Sequence, residues 1–275
     1  HRSEARPIVA AEYDRFFPKA TPYENQGEAM AEIADALAVG RDVLFEGACG
    51  TGKTLAALAP ALAHAREHDR TVVITTNVHQ QMRQFVREAR EINQGTPINA
   101  LVFKGKASMC HIDVDYEECQ VLRDTTRELT EAEDELEELR TRERELLDQA
   151  QSGSEDAAES RQAILDEIEA LEAELEELRD SNTCEHFYEN LTREDDGFFR
   201  WLFDDVRRPE EIYSYAEQRG YCGYELLKEG MNGIDLVVAN YHHLLDPEIR
   251  TQFFRWLGRD PEDVITVFDE AHNIE

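Results

Sequence analysis

The sequence predicts an α/β protein: a parallel sheet built on a phosphate-binding loop (P-loop), interrupted by an insertion that carries an antiparallel helical hairpin. Three observations predict it. Gly47-Ala48-Cys49-Gly50-Thr51-Gly52-Lys53-Thr54 fits G-x-x-x-x-G-K-[ST] at every fixed position. The apolar, β-rich run Val264–Phe268 delivers two carboxylates, Asp269 and Glu270, to the end of a strand. Between these motifs, strand-like and helix-like runs alternate to about Val102, stop, and resume at Ile234.

In chain order, Tyr23-Glu24-Asn25-Gln26 precedes an amphipathic stretch from Ala29 to Ala38, closed by Gly40. Val43-Leu44-Phe45 predicts the strand that enters the glycine-rich loop, and a helix opens at Thr54 with Pro60 inside it as a kink position. Thr71–Thr75 reads as the next strand, 78–92 as a polar helix, and Ile234–Val238 as a later strand. The strand–loop–helix setting is what the loop motif requires. Backbone N–H groups of Gly47, Gly50, Thr51 and Gly52 would cradle phosphate oxygens, and the helix N-terminus adds about half a positive charge. Lys53 would reach the β/γ-phosphates and Thr54 would ligate Mg²⁺. Asp269 would hold the Mg²⁺ shell, and Glu270 would orient and deprotonate the attacking water. An acidic pair is a weak signal in so acidic a chain. Joined to the loop, it points to hydrolysis of a nucleoside triphosphate.

The insertion differs in character. Residues 124–182 hold almost no strand formers, and glycine appears only at the polar turn Gln151-Ser152-Gly153-Ser154. Leu129, Ala132, Leu136 and Leu139 repeat at 3, 4, 3, and Ile164, Ile168, Leu171, Leu175 and Leu178 at 4, 3, 4, 3. These are the seams of two helices that pack on each other, with glutamates and arginines as solvated faces. The organisation is therefore 1–103 as the first part of the sheet domain, 104–228 as the insertion with the hairpin at 124–182, and 229–275 as the sheet domain resumed.

The 275 residues carry a formal charge of −31, from 60 acids against 29 bases, while 41% of residues are hydrophobic. That apolar content supports a core, whereas the charge alone would favour disorder and repel a polyanion. A salt-rich cytoplasm reconciles the two, since at about 1 M salt the Debye length falls to roughly 3 Å. The acid-rich, lysine-poor usage resembles that of haloarchaeal proteins; a long acidic helix also skews the count. No run of 18 apolar residues and no signal peptide is visible, so no membrane partner is expected and the location reads as cytoplasmic. The chain starts at His1 and stops six residues past Asp269, which reads as a fragment.

Of the five cysteines, Cys49 lies in the glycine-rich loop and reads as a small filler. Cys110, Cys119, Cys184 and Cys222 all fall in the insertion. Inside a cell, four such thiols suggest a metal site. Zinc knuckles of the form C-x₂₋₄-C are absent, which leaves an iron–sulfur cluster, a less regular zinc site or unrelated buried thiols. A hairpin would bring Cys119 and Cys184 together at its two feet across 64 intervening residues.

In order, these segments resemble the XPD family of superfamily 2 helicases over nearly the whole chain. Glu46–Thr54 is similar to the family's first motif, and Asp269-Glu270-Ala271-His272-Asn273-Ile274 (a DEAH box) to its second. Lys104–Cys110, Cys184–Tyr188, Cys222-Gly223-Tyr224 and Asn240–Pro247 resemble intervening family segments. The resemblance implies a first RecA-like motor domain interrupted by a [4Fe–4S] domain with Cys110, Cys119, Cys184 and Cys222 as ligands. It implies ATP-dependent 5′-to-3′ translocation on single-stranded DNA in DNA repair, nucleotide excision repair included. Gln26 would read adenine, Thr75–Asn77 and Gln80 would touch the DNA backbone, and His272 would couple hydrolysis to DNA. A second RecA-like domain of the same protein, with its arginine finger, would complete the site, so the fragment alone would work poorly. Gly223 stands where the family has proline, only eight residues separate Cys110 from Cys119, and the long hairpin looks like an addition.

Plainer readings stand beside these. Gln26 fits a surface amide, Thr75 and Asn77 a helix cap, His242 and His243 packing, and Tyr224 and Phe187 core or cluster shielding. Arg83, Arg87, Arg90, Lys104 and Lys106 are candidate DNA patches or a solvated face. An SMC-type repair ATPase also spaces its motifs with a hairpin, yet the tip here has no cysteine. A third reading makes the hairpin a module that recruits a protein partner. The DinG helicases share the cluster and polarity, but the Asn240–Pro247 segment leans to XPD.

Overall fold

The computed structural model describes residues 12–47, 50–76, 79–193 and 197–274, and of His79 and Gln80 the backbone alone. In chain order the main elements are α1 (Gln26–Ala38), α2 (Lys53–Glu67), β1 (Thr71–Thr75), α3 (His79–Gly95), β2 (Ala100–Val102), α4 (Tyr116–Gln151), α5 (Glu155–Asp180), α6 (Glu185–Thr192), α7 (Phe198–Asp204), α8 (Pro209–Arg219), α9 (Gly223–Glu229), β3 (Leu236–Ala239), α10 (His242–Leu245), α11 (Pro247–Leu257) and β4 (Val264–Phe268). They form two compact units. One runs to Met109 and takes up the chain again over Gly197–Tyr215 and from Leu226; the other holds Cys110–Asp196 and Ala216–Glu225. Residues 197–215, inside the insertion as read from sequence, thus count with the sheet. No described helix is long and apolar enough to cross a membrane.

In the first unit the four strands are all parallel, in the order β2-β3-β1-β4. This is a mixed α/β domain of the RecA-like kind. β1 is the central strand, with all five residues buried. It aligns Thr75 with Ala239 of β3 and with Phe268 of β4, so three strand ends meet at one edge. α2 covers β1 with a small-residue face: Ala56, Leu58, Ala59 and Leu62 are each at most 2% exposed. It runs unbroken through the buried Pro60.

One predicted element is absent. Residues 41–47, including Val43-Leu44-Phe45, form no strand, and Leu44 is 94% exposed. An apolar run becomes a strand only where a neighbour completes its ladder. β1 is already paired on both sides, by β3 and β4, so the segment has no central position to occupy.

Towards the end of β2 the sheet domain carries an aromatic cluster. The Phe103 ring lies 5.1 Å from His243 and 6.0 Å from Phe253. His243 is buried, and burial pulls its imidazole below the usual pKa, which is the signature of a packed neutral ring. His242 is exposed.

The second unit is organised by α4 and α5, which pack side by side. Leu129, Ala132 and Leu136 meet Leu171 and Leu175 in one buried seam, flanked by Leu139, Ile168 and Leu178. Arg140–Glu172, Arg161–Glu143 and Arg179–Glu133 pair in opposite chain directions, as an antiparallel hairpin requires. Gly153 makes the turn with φ +96°, and Ser154 caps α5 by accepting from Ala157 N–H. α4 starts at Tyr116, earlier than the predicted 124, because Asp115 caps it by accepting from Glu118 N–H.

On α3 the apolar face is interrupted by Glu88, which is 8% exposed. Its Oε1 accepts from Gln84, while Oε2 has no hydrogen-bond partner among the described residues. Burial raises its pKa above the ordinary carboxylate value. The folded state therefore holds this proton more tightly than the unfolded chain. Stability at this site is greatest below the unfolded pKa and is lost as pH rises through the raised one. Glu88→Gln is expected to stabilise the protein at pH 7 by on the order of 1 kcal/mol, with the gain vanishing near pH 4. Calorimetric melts at both pH values check it.

Candidate nucleotide-binding site

The glycine-rich loop is built by two left-handed turns, Gly50 at φ +81° and Gly52 at φ +75°. Only glycine adopts these at no steric cost, and α2 then opens directly at Lys53. Ala48 and Cys49 lie outside the described residues. A Cβ on Gly47 would stand 3.1 Å from Lys53 Cγ and 3.2 Å from Thr51 Oγ1, so the chain closes tightly around the lysine stem. Lys53 Nζ donates to Gly47 O at 2.8 Å. Thr54 follows in the first turn of α2, half-buried.

Gln26 is not a surface amide. It is 4% exposed. Its Oε1 accepts from Tyr23 N–H and its Nε2 donates to Gly52 O, both at 2.9 Å. The start of α1 is thereby tied to the hinge of the loop. A Cβ on Gly52 would lie 2.4 Å from Gln26 Nε2, so glycine is required there twice over, by φ and by space.

The acidic tetrad sits where β4 ends. Asp269 N–H donates to Thr75 O at 3.0 Å, extending the β1–β4 ladder by one step. Asp269 is half-buried; burial raises its pKa, Glu270 raises it further, and the positive charge of Lys53 pulls it back. The lysine of the first motif and the first carboxylate of the second are therefore electrostatic neighbours. Glu270 adopts φ 51° and ψ 47°, the left-handed region for a non-glycine residue, at a cost of about 1–3 kcal/mol. His272 Nδ1 lies 3.4 Å from Glu270 Oε2.

Tyr241 holds this turn, a role the sequence reading did not assign. At 5% exposure, just past β3, its hydroxyl donates to Asp269 O and lies 3.2 Å from Glu270 O. A tyrosine inside a family-like segment carries no sequence signal for such a bond. Thr75 is fully buried, so its side chain is not available to touch a strand from outside. Asn77 and the side chain of Gln80 lie outside the described residues. Of the proposed basic patch, Arg90 is consumed internally: it bonds Val206 O and pairs with Asp205 and Glu211.

The four cysteines all belong to the second unit. Cys184 caps α6, and its N–H donates to Thr126 Oγ1 at 2.8 Å. Cys222 N–H donates to Asn190 Oδ1, and Asn190 Nδ2 returns a bond to Cys222 O. Backbone N–H groups of Phe187 and His186 approach the Cys184 sulfur, and those of Glu225 and Tyr224 the Cys222 sulfur. Burial nevertheless dominates: it raises the Cys184 thiol and pushes Cys222 up to about 12. Cys110 and Cys222 both lie within electrostatic reach of Cys184, and Cys119 lies near Arg123 and Tyr224. Yet among the described residues no three His, Cys, Asp or Glu side chains converge closely enough to hold a metal ion. Cys110 turns its S–H to Ile112 O at 3.0 Å.

Tyr241→Phe removes one hydroxyl and leaves the ring. It is expected to destabilise the fold by about 1 kcal/mol and to speed amide exchange at 270–273 while β4 stays protected. Hydrogen-exchange mass spectrometry checks it.

Residues 74–275 match the DEAD_2 family. The General transcription and DNA repair factor IIH helicase subunit XPD/RAD3 of Saccharomyces cerevisiae is 25% identical over 276 residues, covering 94% of this chain and 30% of that protein. The Regulator of telomere elongation helicase 1 of Homo sapiens is 24% identical over 262 residues, covering 92% of this chain and 20% of that protein. The helicase subunit XPD of Schizosaccharomyces pombe is 35% identical over 96 residues, 35% of this chain and 12% of that protein. The chain thus spans less than a third of the length of these relatives. With well over half of its residues matched, from β1 through the acidic tetrad, the chain belongs to the DEAD_2 family of XPD/Rad3-type helicases.

Proposed function

We propose that this chain is the nucleotide-binding motor half of an ATP-dependent DNA helicase acting in repair, a 5′-to-3′ translocase on single-stranded DNA. The observation that carries the reading is Lys53 within electrostatic reach of Asp269, at the edge where β1 and β4 end. Helicase names among the relatives support it. The chemistry is that of phosphoryl transfer to water.

In this mechanism the N–H groups around Gly47, Gly50, Thr51 and Gly52 bind the triphosphate, and Lys53 leaves Gly47 O for the β/γ-phosphates. Thr54 and an ionised Asp269 would hold Mg²⁺, which would neutralise charge on the phosphates. Glu270 takes the proton of the attacking water. Gln26 contacts adenine through its remaining hydrogen-bonding capacity and passes that contact to Gly52, which it already grips. His272, beside Glu270, links the carboxylate to DNA engagement. The reading calls for a second RecA-like domain, whose arginine finger would be worth roughly 10³–10⁵ in rate. The hairpin of α4 and α5, with its seam filled by its own residues, leaves its charged faces for a protein partner. The acid-rich, lysine-poor composition supports a salt-rich cytoplasm.

The test is made in the full-length protein. Glu270→Gln is expected to lower ATP turnover by roughly 10²–10⁴-fold with nucleotide binding kept, while Lys53→Ala loses binding. Turnover unchanged in both variants sinks the reading. Duplexes with a 5′ or a 3′ overhang distinguish the polarity.

We also propose a [4Fe–4S] cluster on Cys110, Cys119, Cys184 and Cys222. Four thiols in one unit, two of them approached by backbone N–H groups, suit a cluster, whose sulfurs are stabilised by such bonds. Bound there, the cluster would be a structural crosslink. Protein purified without oxygen should carry about four irons per chain, lost in Cys184→Ser; iron-free protein with full helicase activity overturns it.

A further inference from the structure

The end of α2 away from Lys53 carries two histidines that the nucleotide chemistry does not use. His64 and His68 stand four residues apart, which makes them neighbours on one face of the helix. Their rings stack, with centroids 4.0 Å apart and planes inclined by 24°. His64 is half-buried and His68 exposed, so the pair is reached from solvent.

The way the helix stops holds both rings. His68 is its C-cap, and its N–H donates to His64 O at 3.1 Å. Asp69 then takes φ 51°, and Arg70 N–H returns to Ala65 O at 2.8 Å. The Asp69 carboxylate is engaged in turn, 2.8 Å from Arg259. His68 Nδ1 also lies 2.9 Å from His64 O. A carbonyl only accepts, so Nδ1 carries the hydrogen and Nε2 of the neutral ring keeps its lone pair. Metal-bound imidazoles make this same bond, from the nitrogen that does not touch the metal to a carboxylate, carbonyl or water. The orientation and tautomer of His68 are thus set in advance. Burial, His68 and Arg70 lower the pKa of His64, against an upward pull from Glu67. Near neutral pH His64 is therefore an uncharged ring with a lone pair of its own.

We propose that His64 and His68 form a two-imidazole site for a divalent transition-metal ion of the Ni²⁺, Cu²⁺ or Zn²⁺ class. Histidines at this spacing on a helix present two nitrogens to one ion, as in helical zinc motifs. Imidazole suits these ions, whereas Mg²⁺ takes oxygen. Among the described residues no third His, Cys, Asp or Glu converges with the pair, so water fills the remaining positions. The last carbonyls of α2 add about half a negative charge, and the −31 of the whole chain draws cations towards its surface. The bound ion staples the last turn of the helix whose first residue is Lys53. Cys110, Cys119, Cys184 and Cys222 play no part, since all four belong to the other unit.

Calorimetric titration of the full-length protein with Ni²⁺, in excess Mg²⁺, tests this. Wild-type protein is expected to bind one Ni²⁺ more than the double variant His64→Gln with His68→Gln. Each single variant should weaken that binding by more than the roughly 10–100-fold that loss of an outer-shell partner costs. The melting temperature of wild-type protein should climb as Ni²⁺ is raised, because the ion binds the folded helix, and that of the double variant should climb less. ATP binding should be unchanged in every variant, which shows that α2 is intact. His242→Gln, exposed on α10, is the control. A double variant with wild-type stoichiometry and affinity overturns the site. Loss in one single variant but not the other overturns chelation by the pair, as does an equal effect from His242→Gln. Electron paramagnetic resonance of Cu²⁺, added to wild-type protein below one equivalent, needs no variant: coupling to two nitrogens is expected, and coupling to one or none overturns the proposal.

Discussion

The sheet domain depends on one meeting of strand ends. β1 delivers Thr75 O to the N–H of Asp269, and β3 delivers the Tyr241 hydroxyl to the carbonyls of Asp269 and Glu270. Without these bonds a peptide with Glu270 in the left-handed region would relax, since that geometry is costly for any residue with a Cβ. The two carboxylates are therefore aimed by backbone contacts to neighbouring strands and not by contacts of their own side chains. The lysine across from them is aimed in a similar way. Its position follows from Gly50 and Gly52, whose positive φ values start α2 at Lys53. Gln26 locks that start from the other side. Charge then does the remainder: Lys53 and Asp269 attract, while Glu270 and burial oppose the ionisation of Asp269.

The same opposition of burial and charge governs the cysteines. Backbone N–H groups at the starts of α6 and α9 would favour thiolates, as helix N-termini do. Burial opposes this and wins at Cys184 and Cys222. Burial pushes the Cys222 thiol up to about 12. Bonding to a cationic centre reverses that balance, because metal binding releases the proton and charge is no longer left unpaired in an apolar setting. Asn190 bonds both the N–H and the carbonyl of Cys222, so the backbone at this position is fixed.

Much of this was legible in the sequence, and for physical reasons. The glycine-rich loop is a local motif whose conformation is set by its own residues. The seams at Leu129–Leu136 and Leu171–Leu175 declare themselves because a helix repeats every 3.6 residues and buries one stripe. Val43-Leu44-Phe45 was illegible in the other sense: composition promises a strand, but pairing is non-local and β1 has no free side. Gln26 and Tyr241 show the same limit. Each acts through a hydrogen bond to a backbone atom of another element, 26 and 28 residues away in the chain, and no spacing rule encodes that. Sulfur geometry is equally non-local, since four thiols in one unit fix a composition and not a convergence.

The charge of −31 makes a small cationic cavity of the sheet domain, lined by Arg83, Lys104 and Arg208, more informative, not less. At low ionic strength the field of the whole chain would repel a polyanion over about 10 Å or more. At about 1 M salt that field collapses to roughly 3 Å, which is the scale of a direct hydrogen bond. Long-range steering is then lost in both signs. What survives is contact between a phosphate and the groups that touch it. Counterion release also contributes less there, so a strand held under such conditions needs forked donors at fixed positions and an apolar wall beside them. Arg83 on α3 and Arg208 beside α8 line one cavity within a single unit of the fold, with Arg90 and Glu211 fastening α3 to the start of α8.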